Sequence, residues 1–159
     1  MTRRHLLNAV VVAAVAFTAG GIASADMSKN VIATFKGQLV ITKGELPEGK
    51  TEKDTIAKIK AAKLGELKGE MNGDVKTWTF NYAAFLSKTG ANALKLEFWK
   101  DGKQYAADKS LSNVDPKSSL LTGEISIDAD ENIDDGKSYT LKLVAGKDSV
   151  VATATLVMK

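Results

Sequence analysis

The stretch Ile133-Asp134-Asp135-Gly136-Lys137-Ser138-Tyr139-Thr140-Leu141-Lys142-Leu143 holds a fold decision in eleven residues. An aliphatic residue comes first, then a polar turn with a glycine in it. Tyr139 follows six positions after Ile133 and opens a run in which Tyr139, Leu141 and Leu143 alternate with Thr140 and Lys142. That period buries one face of a β-strand and wets the other.

The same alternation recurs in both directions. Trp78, Phe80 and Tyr82 alternate with Thr77, Thr79 and Asn81, which places three aromatics on one strand face. From Ala93 to Lys100, Leu94, Leu96 and Phe98 point one way and Lys95, Glu97 and Trp99 the other. Asp101-Gly102 is a hairpin turn signal, with Tyr105 on the returning arm. Leu120–Ile127 has Leu121, Ile125 and Ile127 in phase, and Val150–Met158 closes the chain after a turn at Gly146-Lys147-Asp148. Toward the N-terminus, Val31 to Ile41 is rich in β-branched and aromatic residues and reads as one bent strand or two short ones, interrupted at Lys36-Gly37. Gly44 to Lys50, with Pro47 and Gly49, reads as loop.

One segment changes period. Ile56, Ile59 and Leu64, with Ala57, Ala61 and Ala62 between them, fit the apolar stripe of a short helix near residues 52–64. Thr51 or Asp54 would cap its start and Gly65 its end. Lys53, Lys58, Lys60 and Lys63 would line its wet side. They either solvate a helix packed on a sheet or form a basic face toward an anionic membrane. The narrow stripe, which lacks Trp and Phe, favours the first. The whole pattern predicts a mostly β chain: an antiparallel sandwich of about seven strands with one inserted helix.

Residues 133–143 also resemble the tyrosine corner of fibronectin type III and immunoglobulin-like domains, where a Tyr hydroxyl bonds back to the corner backbone as the chain crosses between sheets. Asp135 stands where such domains often carry Pro. The resemblance implies an immunoglobulin-like β-sandwich with Ile133, Gly136 and Tyr139 as structural residues of the corner and Trp78 as a core aromatic. The competing reading is an ordinary hairpin turn before a strand. The resemblance names no function, since this scaffold hosts many unrelated tasks.

The first 25 residues read differently. Met1-Thr2-Arg3-Arg4-His5 is a short positive region, Leu6–Phe17 is apolar apart from Asn8, and Ala23-Ser24-Ala25 gives a small-x-small cleavage pattern, with Ala23 and Ala25 as its small residues. The apolar run falls short of the roughly 20 residues that span a bilayer. Residues 1–25 therefore read as a cleaved signal peptide, with an uncleaved anchor as the alternative, and 26–159 as a single sandwich domain without a transmembrane segment. Thr2-Arg3-Arg4-His5-Leu6-Leu7 resembles the twin-arginine export motif, although Asn8 departs from the usual Lys. An ordinary secretory signal fits as well. Either route places the chain in the periplasm or outside the cell.

The leader also distorts the composition. The full chain has 159 residues and net charge +3. Without residues 1–25, the remaining 134 hold 20 Lys against 19 Asp and Glu, and no Arg, His or Cys. No disulfide, thiolate nucleophile or Ser-His-Asp triad is available to that part, nor is the common His or Cys zinc site. A balanced charge without arginine offers no field or fork for nucleic acid.

The sharpest charge feature is the run from Asp128 to Asp135, with Asp128, Asp130, Asn132 and Asp134 spaced two apart. That rhythm suits oxygen ligands for calcium. It is not an EF-hand, because Ile133 and Tyr139 occupy the positions that need Gly and Glu when the loop is started at Asp128. A looser calcium site and a solvated acidic loop both remain. Trp99 and Tyr105 flank the Asp101-Gly102 turn and are candidate partner-binding residues, unless the helix covers that face and buries Trp99. Catalysis would rest on carboxylates alone, as in a glycoside hydrolase, without a motif to mark them. The expectation is an exported, non-enzymatic module that binds another envelope or extracellular protein or a glycan. It needs no cofactor, and a calcium-dependent adhesion module is the alternative. N-terminal sequencing of the exported chain should begin at Asp26; a retained leader would show it to be an anchor.

Overall fold

The computed structural model describes residues 27–159, so the leader and its expected cleavage residues Ala23 and Ala25 lie outside the described residues. In chain order the elements are α1 (Lys29–Phe35), β1 (Leu39–Thr42), α2 (Glu52–Ala62), β2 (Glu66–Leu67), β3 (Glu70–Asn72), β4 (Val75–Phe85), β5 (Leu94–Lys100), β6 (Gln104–Leu111), β7 (Leu120–Asp128), a single 3-10 turn (Ala129–Glu131), β8 (Lys137–Ala145) and β9 (Ser149–Met158).

The strands form two sheets around one core. In the first, β4 pairs with β7 along one edge, from Thr77 opposite Asp128 to Phe85 opposite Leu120. β1 and β3 share its other edge, at residues 81–84 and 75–77 respectively. The second sheet runs β2-β9-β8-β5-β6, antiparallel except for the parallel pair β2 and β9. The alternation foreseen in β4 and β5 is realised. Trp78, Phe80 and Tyr82 from one sheet and Leu94, Leu96 and Phe98 from the other are all buried in a shared cluster. Phe80 meets Phe98 edge-on, with centroids 6.4 Å apart. Trp78 satisfies its indole by donating from Nε1 to the Lys159 carbonyl at 3.0 Å.

The described residues contain nine strands rather than about seven. The additional β2 and β3 are only two and three residues long. They are edge pieces too short to show a period of two. A larger difference lies at Val31–Phe35, which is helical and not a strand. Val31 and Phe35 stand one turn apart and bury the same stripe, and the Ser28 side chain accepts from the Val31 N–H at 3.4 Å as the N-cap. Phe35 packs on Phe85 with centroids 5.0 Å apart, and that contact overrides the strand preference of Val, Ile and Thr. Only β1 survives from the expected strand.

The second helix forms where its period placed it. Thr51 is the N-cap, its hydroxyl accepting from the Asp54 N–H at 3.2 Å. The helix ends before Gly65, with Lys63 as the C-cap and its N–H on the Ile59 carbonyl at 3.1 Å. Both helices lie on the outer face of the first sheet. Val31, Phe35 and Ile59 close a second cluster there with Val40, Ala83 and Phe85.

Gly123 is the position where backbone space matters most. It pairs with Tyr82, whose ring lies across it; a Cβ on Gly123 would stand 2.8 Å from the Tyr82 hydroxyl oxygen. Burial pushes the Tyr82 phenol up to about 12. The neutral phenol's contribution to stability is therefore whole below its ordinary value of 10 and is lost as the pH rises through about 12. Gly123→Ala should lower stability by about 1–3 kcal/mol through overpacking. Urea unfolding measures this, and adding Tyr82→Phe should restore part of the loss; an unchanged midpoint in Gly123→Ala would contradict the contact.

Candidate functional site

Two features singled out in the sequence now have positions, and they differ in kind. The acidic run follows β7 and leads into β8. Its backbone is not extended: Ala129–Glu131 is a 3-10 turn and Asn132 is left-handed at φ 64°. Alternate residues therefore do not point to one centre as they would along a strand. Asp128 accepts from the Thr77 hydroxyl on the neighbouring strand, and its N–H donates to Glu131 at 3.0 Å. Asp130 and Asn132 are exposed. Asp134 is paired with Lys100. Among the described residues, no three acidic, His or Cys side chains are grouped as metal ligands. The four residues expected to share a calcium ion are thus not brought together.

Lysines from three separate strands meet this run instead. Lys76 of β4 reaches Asp135 at 2.7 Å, Lys100 of β5 reaches Asp134, and Lys109 of β6 holds both oxygens of Glu131 at 2.7 Å. The Lys100 hydrogen bond and charge hold the Asp134 carboxyl below its usual value, and Asp134 in turn raises Lys100. Lys109 lies in register with the buried Leu96, so it points toward the core side of an edge strand. An inward charge there blocks edge-to-edge pairing with another sheet. No local pattern could reveal these partners, because they stand 22 to 59 residues away along the chain.

Beneath the ion pairs sits the turn between β7 and β8. The Tyr139 side chain is fully buried, and its hydroxyl accepts from the Asp134 N–H at 2.8 Å. Ile133 is buried in the main core, and Gly136, at φ 74°, donates its N–H to the Met158 carbonyl at 2.6 Å. Ile133, Gly136 and Tyr139 thus lie together where the chain passes from β7 to β8.

The second feature lies on the outer face of the five-stranded sheet. The helices cover the other sheet, so they do not bury Trp99. The register shifts between Phe98 and Trp99, where Ala107 and then Tyr105 face successive residues of β5. This bulge at Ala106 brings Tyr105 to the same face as Trp99. Their rings meet edge-on with centroids 5.7 Å apart. The Lys142 ammonium sits over the Trp99 ring, 4.0 Å from its centroid, and the indole N–H donates to Glu97 at 2.8 Å. Trp99 is therefore half-buried and fixed, while Tyr105 remains 48% exposed. Partial desolvation and the nearby Asp108 carboxylate raise the Tyr105 phenol. Asp108 also pairs with Lys95 at 3.1 Å on the same face.

A third feature had no signal in the sequence. An open groove runs beside β2 and β3, lined by Lys43, Leu64, Lys68, Met71, Thr77 and Thr79, with Met71 65% exposed at its rim. It forms where the chain leaves α2 and crosses the half of the first sheet that the helices do not cover. No family model, curated protein or solved structure matches this chain.

Tyr139→Phe should destabilise the protein by about 1–2 kcal/mol, since the Asp134 N–H loses its acceptor. Asp134→Asn removes only an exposed ion pair and should leave the urea midpoint near that of the parent. Equal midpoints for Tyr139→Phe and the parent would remove the corner bond as a stabilising contact.

Proposed function

We propose that this chain is an exported, non-enzymatic binding module of immunoglobulin-like sandwich type. It recognises another envelope or extracellular protein, or a glycan, through the outer face of its five-stranded sheet. The observation that carries this reading is the Trp99–Tyr105 pair: a fixed indole under Lys142 beside a phenol that remains 48% exposed. Rigid aromatics that are part apolar and part hydrogen-bonding provide contact area at little entropic cost, which is why they anchor interfaces. Lys95, Glu97 and Asp108 surround the pair with both charge signs, as the polar rim of such a patch requires.

Strand order supports the immunoglobulin-like part of the reading. Lettered from β1 as A, with β4 as B, β5 as C, β7 as E, β8 as F and β9 as G, the chain puts A, B and E in one sheet and C, F and G in the other. The buried tyrosine then falls near the start of F, after the E–F corner. Export is supported by the leader of residues 1–25.

The test is capture of a partner from envelope extract by the mature chain, in chelator and in calcium. A Trp99→Ala/Tyr105→Ala variant should reduce capture at least tenfold, and Met71→Ala, on the opposite sheet, should not. Equal capture by the aromatic variant would reject this face, and capture abolished by chelator would favour the calcium-dependent alternative.

A further inference from the structure

The helical layer carries a charge that the rest of the chain does not. From Met27 to Lys63 there are eight lysines against four carboxylates, whereas from Leu64 to Lys159 there are twelve against fourteen. Six of those lysines and two of the carboxylates lie in the two helices and their caps, so the surplus of four is theirs, and both helices pack on the outer face of the first sheet. Two of the four carboxylates are engaged within the layer. Asp54 pairs with Lys58 at 3.4 Å, and Glu52 accepts from Asn30 at 2.9 Å.

The lysines are placed to act outward. On α2, Lys53, Ala57 and Lys60 follow one another at helical spacing on the ridge opposite buried Thr55 and Ile59. All three are exposed, as is Ala61. Lys29 and Lys36 stand exposed at the two ends of α1. None of Lys29, Lys36, Lys53 and Lys60 has a carboxylate within 4 Å among the described residues. Alanine between two lysines keeps the ridge low, so a flat surface can approach the helix while long ammonium stems reach sideways to it.

We propose that this layer docks the protein electrostatically onto an anionic lipid bilayer. The apolar stripe of α2 is already used against the sheet, so the contact is made by charge and does not insert the helix. Lysines spread across two adjacent helices, and not along one groove, match a planar array of lipid phosphates better than a single anionic strand. Attraction of this kind adds up over several lysines and falls within a Debye length, so it must disappear at high salt.

Vesicle co-sedimentation of the mature chain tests this. In 50 mM salt the protein should sediment with vesicles of phosphatidylcholine and phosphatidylglycerol at about four to one and not with phosphatidylcholine alone; about 500 mM salt should release it. Lys53→Gln/Lys60→Gln should weaken retention at least threefold, and Lys53→Glu/Lys60→Glu at least tenfold. Lys103→Glu/Lys147→Glu, in exposed turns of the other sheet, should stay within twofold. Circular dichroism confirms that each variant is folded. The proposal is overturned by no retention on the anionic vesicles, by equal retention on neutral ones, or by an equal loss in the control variant. Retention on a dextran sulfate column without retention on vesicles would assign the layer to an anionic polymer and overturn the bilayer. Capture through Trp99 and Tyr105 is independent of every one of these outcomes.

Discussion

The second half of β4 must be buried on both faces, and much of the architecture follows from that requirement. Ala83, Ala84 and Phe85 are each essentially inaccessible. Their side chains alternate, so Ala84 enters the core shared with the second sheet while Ala83 and Phe85 face outward. A sandwich normally leaves that outward face in water, where an exposed Phe85 would forfeit roughly 1.5–3 kcal/mol of burial. Helix α1 answers by laying Phe35 on Phe85, and α2 adds Ile59 beside it. The helices are therefore a third layer demanded by one strand. Where β4 returns to Thr77 and Thr79, that layer stops and the sheet is open.

The opposite end of the sandwich is held by a different kind of contact. Here the chain leaves β7 at the edge of one sheet and enters β8 inside the other. A turn of that span has backbone groups that neither sheet can satisfy. The Tyr139 hydroxyl takes the Asp134 N–H, and the Met158 carbonyl takes the Gly136 N–H. The carboxylates then sit outside this bonded frame, each drawn to a lysine from another strand. Individually such pairs contribute little, since they are exposed or nearly so. Their consequence is geometric: they pull Asp134, Asp135 and Glu131 toward three different strands and so apart from one another.

This explains which parts of the molecule were readable from the chain. Strands β4, β5, β7, β8 and β9 announce themselves because each buries one face against the shared core over at least four residues, and a period of two survives in the letters. The bond between the Asp134 N–H and the Tyr139 hydroxyl joins residues five apart, so a local pattern can carry it. The helix at Lys29–Phe35 was not. Its residues are β-formers, and what makes them helical is Phe85, fifty positions away. The directions of the acidic side chains are not legible in the letters for a related reason. Spacing by two implies a common direction only in extended backbone, and a 3-10 turn followed by a left-handed Asn132 breaks that condition. Trp99 falls on the outward phase of β5 in the sequence itself. Its neighbours Tyr105 and Lys142 come to it through a bulge and a cross-strand register that no local pattern encodes.

The two surfaces proposed for recognition are on opposite sides of the same core. The basic helices cover the outer face of the first sheet, and Trp99 with Tyr105 stands on the outer face of the second. Neither can crowd the other, because two packed sheets, separated by about 10 Å, lie between them. A chain resting on its helical layer would turn the aromatic face directly away from the supporting surface, where a large partner has free approach. The charge distribution favours that orientation, since the lysine surplus is confined to the helical side while the remainder of the chain is slightly acidic. The third layer that β4 requires for burial thus also decides which sheet face is left uncovered.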